Sequence, residues 1–120
     1  MKLAHIGLAV LDLKRSLDFY SRVFSCKPAG TIEMGHVKIC YLEGENFTLE
    51  LLHYPDENTS RKTGLYDHIA IQVDDIEQET NRLKALGVEF LFDEPRSVPG
   101  GRFIIFCLGP DGERIELIQG

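Results

Sequence analysis

The sequence predicts an α+β protein built from two similar modules in tandem, each with a strand, a helix and two or three further strands. Two observations support this prediction. A strand pattern that begins at His5 returns at His68, and each histidine is followed by alternating apolar residues. The segment Leu49-Glu50-Leu51, late in the first half, returns as Ile115-Glu116-Leu117 late in the second. Because both features recur in matching places, chance is a poor explanation, and a duplicated module is favoured.

A helix is predicted directly after the first strand of each half. Asp12 and Asp75 (or Asp74) stand where a helix N-cap is expected. Apolar residues then recur with a helical rhythm, which predicts one buried face per helix. The predicted faces are Leu13, Leu17, Tyr20 and Phe24 in the first helix, and Ile76, Thr80, Leu83 and Gly87, with Leu86, in the second.

The rest of each half is predicted to form antiparallel strands joined by turns. The main strands are expected at about 36–42, 47–53, 102–108 and 113–118, with shorter ones at 31–34 and 89–92. Turns are expected at 43–46 and 110–112, where glycine, proline and polar residues cluster. Residues 55–64 are polar and contain proline and glycine, so they read as a linker. We therefore expect one domain over 1–120, with module one at about 1–54 and module two at about 65–120.

Composition narrows the functional classes. The chain has 120 residues, 43% of them hydrophobic, and a net charge of −6, which argues against nucleic-acid binding because phosphates would be repelled. No apolar run approaches the length that spans a membrane. Cys26, Cys40 and Cys107 form no closely spaced pair and are interpreted as reduced thiols. We expect a cytoplasmic protein with a small-molecule partner and no nucleic-acid or membrane partner.

Strand alternation gives the repeated histidines and glutamates a common direction. Neighbouring strand side chains point to opposite faces, so the leucine and isoleucine neighbours of Glu50 and Glu116 should face the helix. His5 and His68 likewise lie out of phase with the apolar residues of their own strands. Each module is thus predicted to present one imidazole and one carboxylate on the face that its helix leaves uncovered.

Four such residues favour a divalent metal site. A buried carboxylate is costly unless it is paired or bound to a cation. Two imidazoles and two carboxylates suit Ni²⁺, Co²⁺, Mn²⁺ or Zn²⁺. The set has too few oxygen ligands for Ca²⁺, and it lacks the thiolate ligands of a structural zinc site. The predicted ligands are His5, Glu50, His68 and Glu116.

The chain resembles the vicinal oxygen chelate superfamily, which includes glyoxalase I. The resemblance rests on residues 5–10, 12–13, 16–20, 49–51, 67–70, 73–76, 109–112 and 115–117 and covers essentially the whole chain. It implies a glyoxalase-like fold of two βαβββ modules that form a cupped mixed sheet. It also implies that His5, Glu50, His68 and Glu116 bind the metal, and that the protein is a homodimer whose sites lie within one chain or between two.

The resemblance also implies a reaction. Family members bind a substrate through two adjacent oxygens, and the metal stabilises an enediolate or oxyanion. In glyoxalase I chemistry, a glutamate moves a proton between neighbouring carbons of a thiol–aldehyde adduct. By resemblance, Glu116 is expected to be this catalytic base, with Glu50 as its near-symmetric catalytic partner. The resemblance therefore implies that the protein is a metalloenzyme similar to lactoylglutathione lyase.

Some positions depart from the glyoxalase I pattern and keep alternatives open. Ala9 and Tyr54 stand where bacterial glyoxalase I has an arginine and an asparagine that contact glutathione. The substrate is therefore a glutathione adduct, another thiol adduct or neither. One alternative is an enzyme like methylmalonyl-CoA epimerase, and another is a metal-free drug-binding resistance protein. Glu50 argues against a thiol transferase of the fosfomycin-resistance kind, which keeps only three ligands.

Overall fold

The computed structural model describes residues 4–55, 66 and 68–120, and within these it contains eight strands and two helices. The chain divides into two compact units, Met1–Lys62 and Thr63–Gly120. Each unit holds a four-stranded mixed sheet and one helix, so the predicted α+β fold with two βαβββ modules is confirmed. Most of the expected linker, 56–64, lies outside the described residues.

Module one has the sheet order β1-β4-β3-β2. Its elements are β1 (Ile6–Ala9), α1 (Leu13–Phe24), β2 (Lys27–Met34), β3 (Val37–Glu43) and β4 (Thr48–His53). The first strand pairs in parallel with the last strand, and the other pairs are antiparallel. The parallel pairing follows from the helix that connects the outer strand to the rest of the module, because parallel neighbours need a long crossover.

Module two repeats this arrangement with the sheet order β5-β8-β7-β6. Its elements are β5 (Ile69–Gln72), α2 (Ile76–Ala85), β6 (Arg96–Val98), β7 (Arg102–Leu108) and β8 (Arg114–Gln119). Again the first strand pairs in parallel with the last strand, and the other pairs are antiparallel. Both modules therefore place the beginning of the first strand beside the last strand, which is where the repeated histidine and glutamate lie.

The helices begin at the predicted aspartates. The Asp12 side chain accepts a hydrogen bond from the Arg15 backbone N–H at 3.0 Å, and Asp75 does the same for Gln78 at 3.0 Å. Each carboxylate satisfies a backbone donor that has no partner within the helix. Asp75, rather than Asp74, is thus the cap of α2.

The buried face of α2 agrees with the prediction, but that of α1 is shifted. Ile76, Thr80 and Leu83 are buried in α2, whereas Leu86 and Gly87, also predicted for this face, follow the helix and are not buried. In α1 the buried residues are Ser16, Phe19, Tyr20 and Val23, so only Tyr20 of the predicted face is fully buried. The reason is Ser16, which is completely buried. Ser16 belongs to the buried face, but its side chain is polar. A prediction based on the periodicity of apolar residues therefore does not include it.

The edge strands also differ from the prediction. Residues 89–92 do not form a regular strand, because only Phe90 bridges to Cys107 before the chain bends. Pro95 then precedes the short β6, which pairs with the other half of β7. In module one, β2 begins at Lys27, earlier than expected, and its register shifts between Pro28 and Thr31. Proline lacks a backbone donor, so it restricts regular pairing at both places.

Candidate metal centre

In module one, β1 and β4 bring His5 and Glu50 together. Glu50 lies beside Gly7 in the parallel register, and His5 directly precedes the strand. The His5 Nε2 atom lies 2.9 Å from Glu50 Oε2. The His5 side chain is 46% exposed and the Glu50 side chain 15% exposed. The carboxylate is therefore largely buried, while the imidazole ring is accessible to solvent.

Module two brings His68 and Glu116 together in the same way. Glu116 lies beside Ala70, and the His68 Nε2 atom lies 3.0 Å from Glu116 Oε2. The imidazole is 33% exposed and the carboxylate 13% exposed. The two pairs therefore agree in atoms, distance and relative burial, which extends the sequence repeat to the level of side chains.

Each pair lies on the side of its sheet away from its helix, which we call the open face. The residues on either side of each glutamate, Leu49 and Leu51 or Ile115 and Leu117, are at most 1% exposed. Both helices pack on the strands that carry these residues. Because strand side chains alternate, the glutamates emerge on the opposite side. The glycine of β1 allows side chains of β4 to approach closely: a Cβ atom at Gly7 would lie only 3.1 Å from Leu52 Cδ1 and 4.0 Å from Glu50 Oε2.

The surroundings of the two glutamates differ. Tyr41 lies directly opposite Glu50 on β3, and its hydroxyl donates a hydrogen bond to the Glu50 carboxylate. Partial burial, the charge of Glu50 and this hydrogen bond raise the pKa of Tyr41. The tyrosine therefore stays protonated and remains a donor to the carboxylate.

In module two, the position opposite Glu116 is occupied by Phe106. This ring contacts the His68 imidazole edge-on, with centroids 5.1 Å apart and an angle of 88° between the planes. The guanidinium of Arg114 lies over the same ring, 4.8 Å from its centroid. His68 is thus positioned by an aromatic contact, while the strand neighbour of Glu116 offers no hydroxyl group.

The donor atoms of each pair suit a shared cation. Ligand nitrogen and oxygen atoms lie about 2.1 Å from a divalent transition metal, so two of them at a right angle are about 3.0 Å apart. The observed separations of 2.9 and 3.0 Å match this spacing. Each pair offers two donor atoms, and the described residues hold no group of three or more His, Cys, Asp or Glu side chains suited to a metal ion.

Other candidate residues lie apart from the pairs. His36 is exposed in the turn between β2 and β3, where its ring lies 6.3 Å from that of Tyr54. The His53 Nδ1 atom is 3.4 Å from the Val10 carbonyl oxygen. Cys26, Cys40 and Cys107 are buried free thiols. Burial raises the pKa of the Cys26 thiol, and burial is also the main cause that raises the pKa of Cys107 to about 12. The Cys26 and Cys107 thiols therefore remain protonated at neutral pH.

Sequence reasoning missed Tyr41, Phe106 and Arg114, which surround the two glutamates. The signal that reveals them is strand register: each glutamate has one direct cross-strand neighbour, and that neighbour differs between the modules. Register depends on turn geometry and on strand bounds, and these were predicted only approximately. Within the described residues, neither helix is long and apolar enough to cross a membrane.

The fold and the paired sites define a protein of duplicated βαβββ modules with one histidine–glutamate pair in each. Residues 2–117 match the family model of the Glyoxalase/Bleomycin resistance protein/Dioxygenase superfamily. The chain belongs to this superfamily, and the resemblance seen in the sequence is confirmed.

Similar proteins include enzymes of two kinds. The chain is 33% identical to a lactoylglutathione lyase of Neisseria meningitidis over 99% of its own length and 91% of the relative. It is 32% identical to a mitochondrial methylmalonyl-CoA epimerase of Dictyostelium discoideum over 88% of its own length and 69% of the relative. Glyoxalase I from Zea mays has a similar structure, with a TM-score of 0.86 and 27% identity over 99% of this chain, which spans 44% of the maize chain.

Proposed function

We propose that the protein is a divalent-metal-dependent lyase or isomerase of glyoxalase I type, which moves a proton between adjacent carbons of a thiol–aldehyde adduct or a related substrate. The observation that carries this proposal is the repeated imidazole–carboxylate contact on the two open faces, at 2.9 and 3.0 Å. The similarity to lactoylglutathione lyases supports the same reaction class.

His5, Glu50, His68 and Glu116 would hold the ion, which we propose to be Ni²⁺, Co²⁺, Zn²⁺ or Mn²⁺. Imidazole nitrogen and carboxylate oxygen are ligands that these borderline metals share. When bound, the ion supplies positive charge that stabilises two adjacent oxygen atoms of the substrate as negative charge develops on them. The ligands come from both modules, either of one chain or of two copies in a homodimer.

We assign proton transfer to Glu116, with Glu50 as the more firmly held carboxylate. The Tyr41 hydroxyl donates to Glu50, which restrains the position of that carboxylate. Glu116 has Phe106 in the matching position, so its carboxylate keeps more freedom to take a proton from substrate carbon and return it to the next carbon. Glu116 is also only 13% exposed, which limits competition from water.

A second candidate function is epimerisation next to a thioester carbonyl, as the name of the Dictyostelium relative indicates for that protein. The same carboxylate would remove and return a proton on one carbon instead of moving it to the next. Ala9 and Tyr54 favour keeping this candidate, because neither side chain offers a cation to a glutathione carboxylate. A metal-free binding protein is the third alternative, and the presence of a complete histidine–glutamate pair in each module argues against it.

The test is metal reconstitution followed by two assays. The purified protein is loaded with each of the four ions and supplied with methylglyoxal plus glutathione, or with methylmalonyl-CoA. Turnover of the first substrate supports the glyoxalase-type proposal, and turnover of the second alone supports the epimerase alternative. Metal binding without either reaction rejects both substrates, and no metal binding rejects the proposal.

The arrangement of the ligands is tested at limiting metal concentration by mixing two impaired variants: Glu50→Gln, which lacks a proposed ligand, and Glu116→Gln, which lacks the proposed base. If module one of one copy faces module two of another, some mixed dimers contain one site with both glutamates intact, and activity returns on mixing. If each site lies within one chain, every site keeps one substitution, and mixing restores nothing. Metal content of the mixture gives a second readout that does not depend on substrate.

A further inference from the structure

The imidazole of His68 belongs to a cluster of three rings in module two. Phe106 contacts it edge-on, with ring centroids 5.1 Å apart and 88° between the planes. Phe92, in the segment between α2 and β6, contacts Phe106 in turn, with centroids 6.5 Å apart. We call His68, Phe106 and Phe92 the aromatic cluster, in which Phe106 connects the other two rings.

The two phenylalanines of the aromatic cluster are themselves restrained. The backbone N–H of Leu91 donates to the Phe106 carbonyl oxygen at 2.9 Å, which ties the segment that carries Phe92 to β7. The Arg96 Cζ atom lies 3.7 Å from the centroid of the Phe92 ring, and the Arg114 Cζ atom lies 4.8 Å from that of Phe106. A cation over a ring face is attracted to that face and favours its orientation. The imidazole therefore packs against a ring that is held in place.

This packing favours one orientation of the His68 imidazole. Rotation of a histidine ring about its bond to Cβ is soft, so an unpacked ring turns readily. Edge-on packing against Phe106 restricts this rotation. In the resulting orientation, His68 Nε2 lies 3.0 Å from Glu116 Oε2. The proposed nitrogen ligand of module two is thus directed toward its carboxylate partner before an ion binds.

Module one supports the other member of its pair. Within the residues that the structure describes, no aromatic ring contacts the His5 imidazole. His5 is also more exposed than His68, at 46% against 33%. Tyr41, the counterpart of Phe106, donates its hydrogen bond to Glu50 instead. Module one therefore restrains its carboxylate, whereas module two restrains its imidazole.

We infer that Phe106 and Phe92 are positioning residues for His68, and that His68 is the tightly held nitrogen ligand of the proposed metal site while His5 is the exchangeable one. A ligand that is oriented beforehand loses less conformational entropy when the ion binds, so it contributes more to affinity. The ranking of the two histidines rests on the proposed function. The positioning of His68 rests on the ring contacts alone and requires no metal.

The first experiment is NMR of the histidine ring C–H groups in the metal-free protein. The chain has four histidines, and each signal is assigned from its His→Gln variant. Ring currents of Phe106 should displace the His68 signals from those of the exposed His36. Phe106→Leu should return the His68 signals toward this exposed position, and Phe92→Leu should do so in part, while the His5 signals stay unchanged. Unchanged His68 signals in Phe106→Leu would overturn the positioning role.

The second experiment measures Ni²⁺ affinity by competition with a chromophoric chelator. Phe106→Leu should weaken binding about tenfold, the usual contribution of groups that orient metal ligands. His68→Gln should weaken binding more than His5→Gln, and equal losses or the reverse order would overturn the ranking. Phe103→Leu is the matched control, because Phe103 lies on the same strand, is 43% exposed and points to the other face. This variant should keep the native affinity.

A double-mutant cycle separates positioning from a general loss of structure. If Phe106 acts through His68, adding Phe106→Leu to His68→Gln should change the Ni²⁺ affinity little, whereas adding it to His5→Gln should give the full tenfold loss. Equal losses in both backgrounds would overturn the proposal. Phe92→Leu, which alters no strand residue, provides the same comparison with a smaller effect if Phe106→Leu does not fold.

The outcomes distinguish this inference from the proposed function. Absence of Ni²⁺ binding in the native protein would reject the proposed function and the ranking of the histidines, while the NMR signals would still decide whether Phe106 positions His68. The expected ranking, without turnover of the methylglyoxal–glutathione adduct, would support the inference and reject the proposed reaction. Turnover with equal dependence of metal affinity on His5 and His68 would support the proposed function and reject the ranking.

Discussion

The Tyr41 hydroxyl donates a hydrogen bond to the Glu50 carboxylate, which lies directly opposite it across β3 and β4. The corresponding neighbour of Glu116 is Phe106. The two modules therefore repeat the histidine and the glutamate but do not repeat the group that faces each glutamate. This difference separates the expected roles of two carboxylates that are otherwise equivalent in sequence position and in distance to their histidines.

Replacing Tyr41 with phenylalanine should weaken metal binding about tenfold, because groups that orient metal ligands typically contribute at this level. The measurement is competition for Zn²⁺ or Ni²⁺ against a chromophoric chelator. The matched variant is Phe106→Tyr, which places a hydroxyl beside Glu116 and should lower kcat more than it lowers metal affinity. Unchanged metal affinity in Tyr41→Phe would show that the hydrogen bond does not support a ligand.

Glu116→Gln should lower kcat by about 10²- to 10⁴-fold, the usual contribution of a general base. Glu50→Gln should have a smaller effect on kcat once the metal concentration is raised to saturate the variant. The assay is turnover of the methylglyoxal–glutathione adduct at saturating metal, with metal content measured in parallel. A larger loss of kcat in Glu50→Gln would reverse the assignment of the base.

The start of α2 depends on a side chain from the last strand of the module. The Ile76 backbone N–H donates to Gln119 Oε1 at 2.7 Å, which satisfies one of the donors left open at the helix N-terminus. Gln119→Ala should lower the free energy of unfolding by about 1 kcal/mol. Urea denaturation measures this change, and Gln72→Ala, on the exposed part of β5, is the control. Equal stability of the two variants would contradict the capping role.

Alkaline pH should destabilise the fold through Cys107. Its pKa is raised to about 12 in the folded protein, mainly by burial, against an ordinary value of 9.0. Between these values the unfolded chain loses the thiol proton while the folded chain keeps it, so stability is present below pH 9 and falls as pH rises toward 12. Cys107→Ser should flatten this alkaline part of the stability curve, measured by urea denaturation at several pH values.

A labelling experiment checks the same thiol at neutral pH. Cys107 should react with iodoacetamide only after unfolding, because the protonated buried thiol is a poor nucleophile. Alkylation is followed by mass spectrometry of peptides with and without urea. Rapid labelling of Cys107 in the native protein at pH 7 would contradict its burial and its raised pKa.

Much of the fold could be predicted because its signals are local. Asp12 and Asp75 cap their helices, and the alternation around Glu50 and Glu116 sends each carboxylate to the open face. These features depend on a few adjacent residues. The match between His5 and His68 also predicted that the modules would share a topology, and both sheets have the same order of strands.

The errors occurred where packing or pairing decided the outcome. Ser16 is the centre of the buried face of α1, but a serine gives no hydrophobic signal, so the predicted face was shifted. Residues 89–92 have strand-like composition, yet Phe90 makes only one bridge before the chain bends. Tyr41 could not be assigned to Glu50 because that contact depends on the register between two strands. Composition and periodicity do not determine register by themselves.

The most direct test of the central claim is the metal content of the purified protein after reconstitution with Ni²⁺, Co²⁺, Zn²⁺ or Mn²⁺. The native sequence should hold about one ion per chain, since we propose that two histidine–glutamate pairs form one site. His68→Gln and Glu116→Gln should lose most of the ion, while His36→Gln, a substitution in the exposed turn before β3, should keep it. Absence of bound metal in the native protein, or full retention by His68→Gln and Glu116→Gln, would contradict the account.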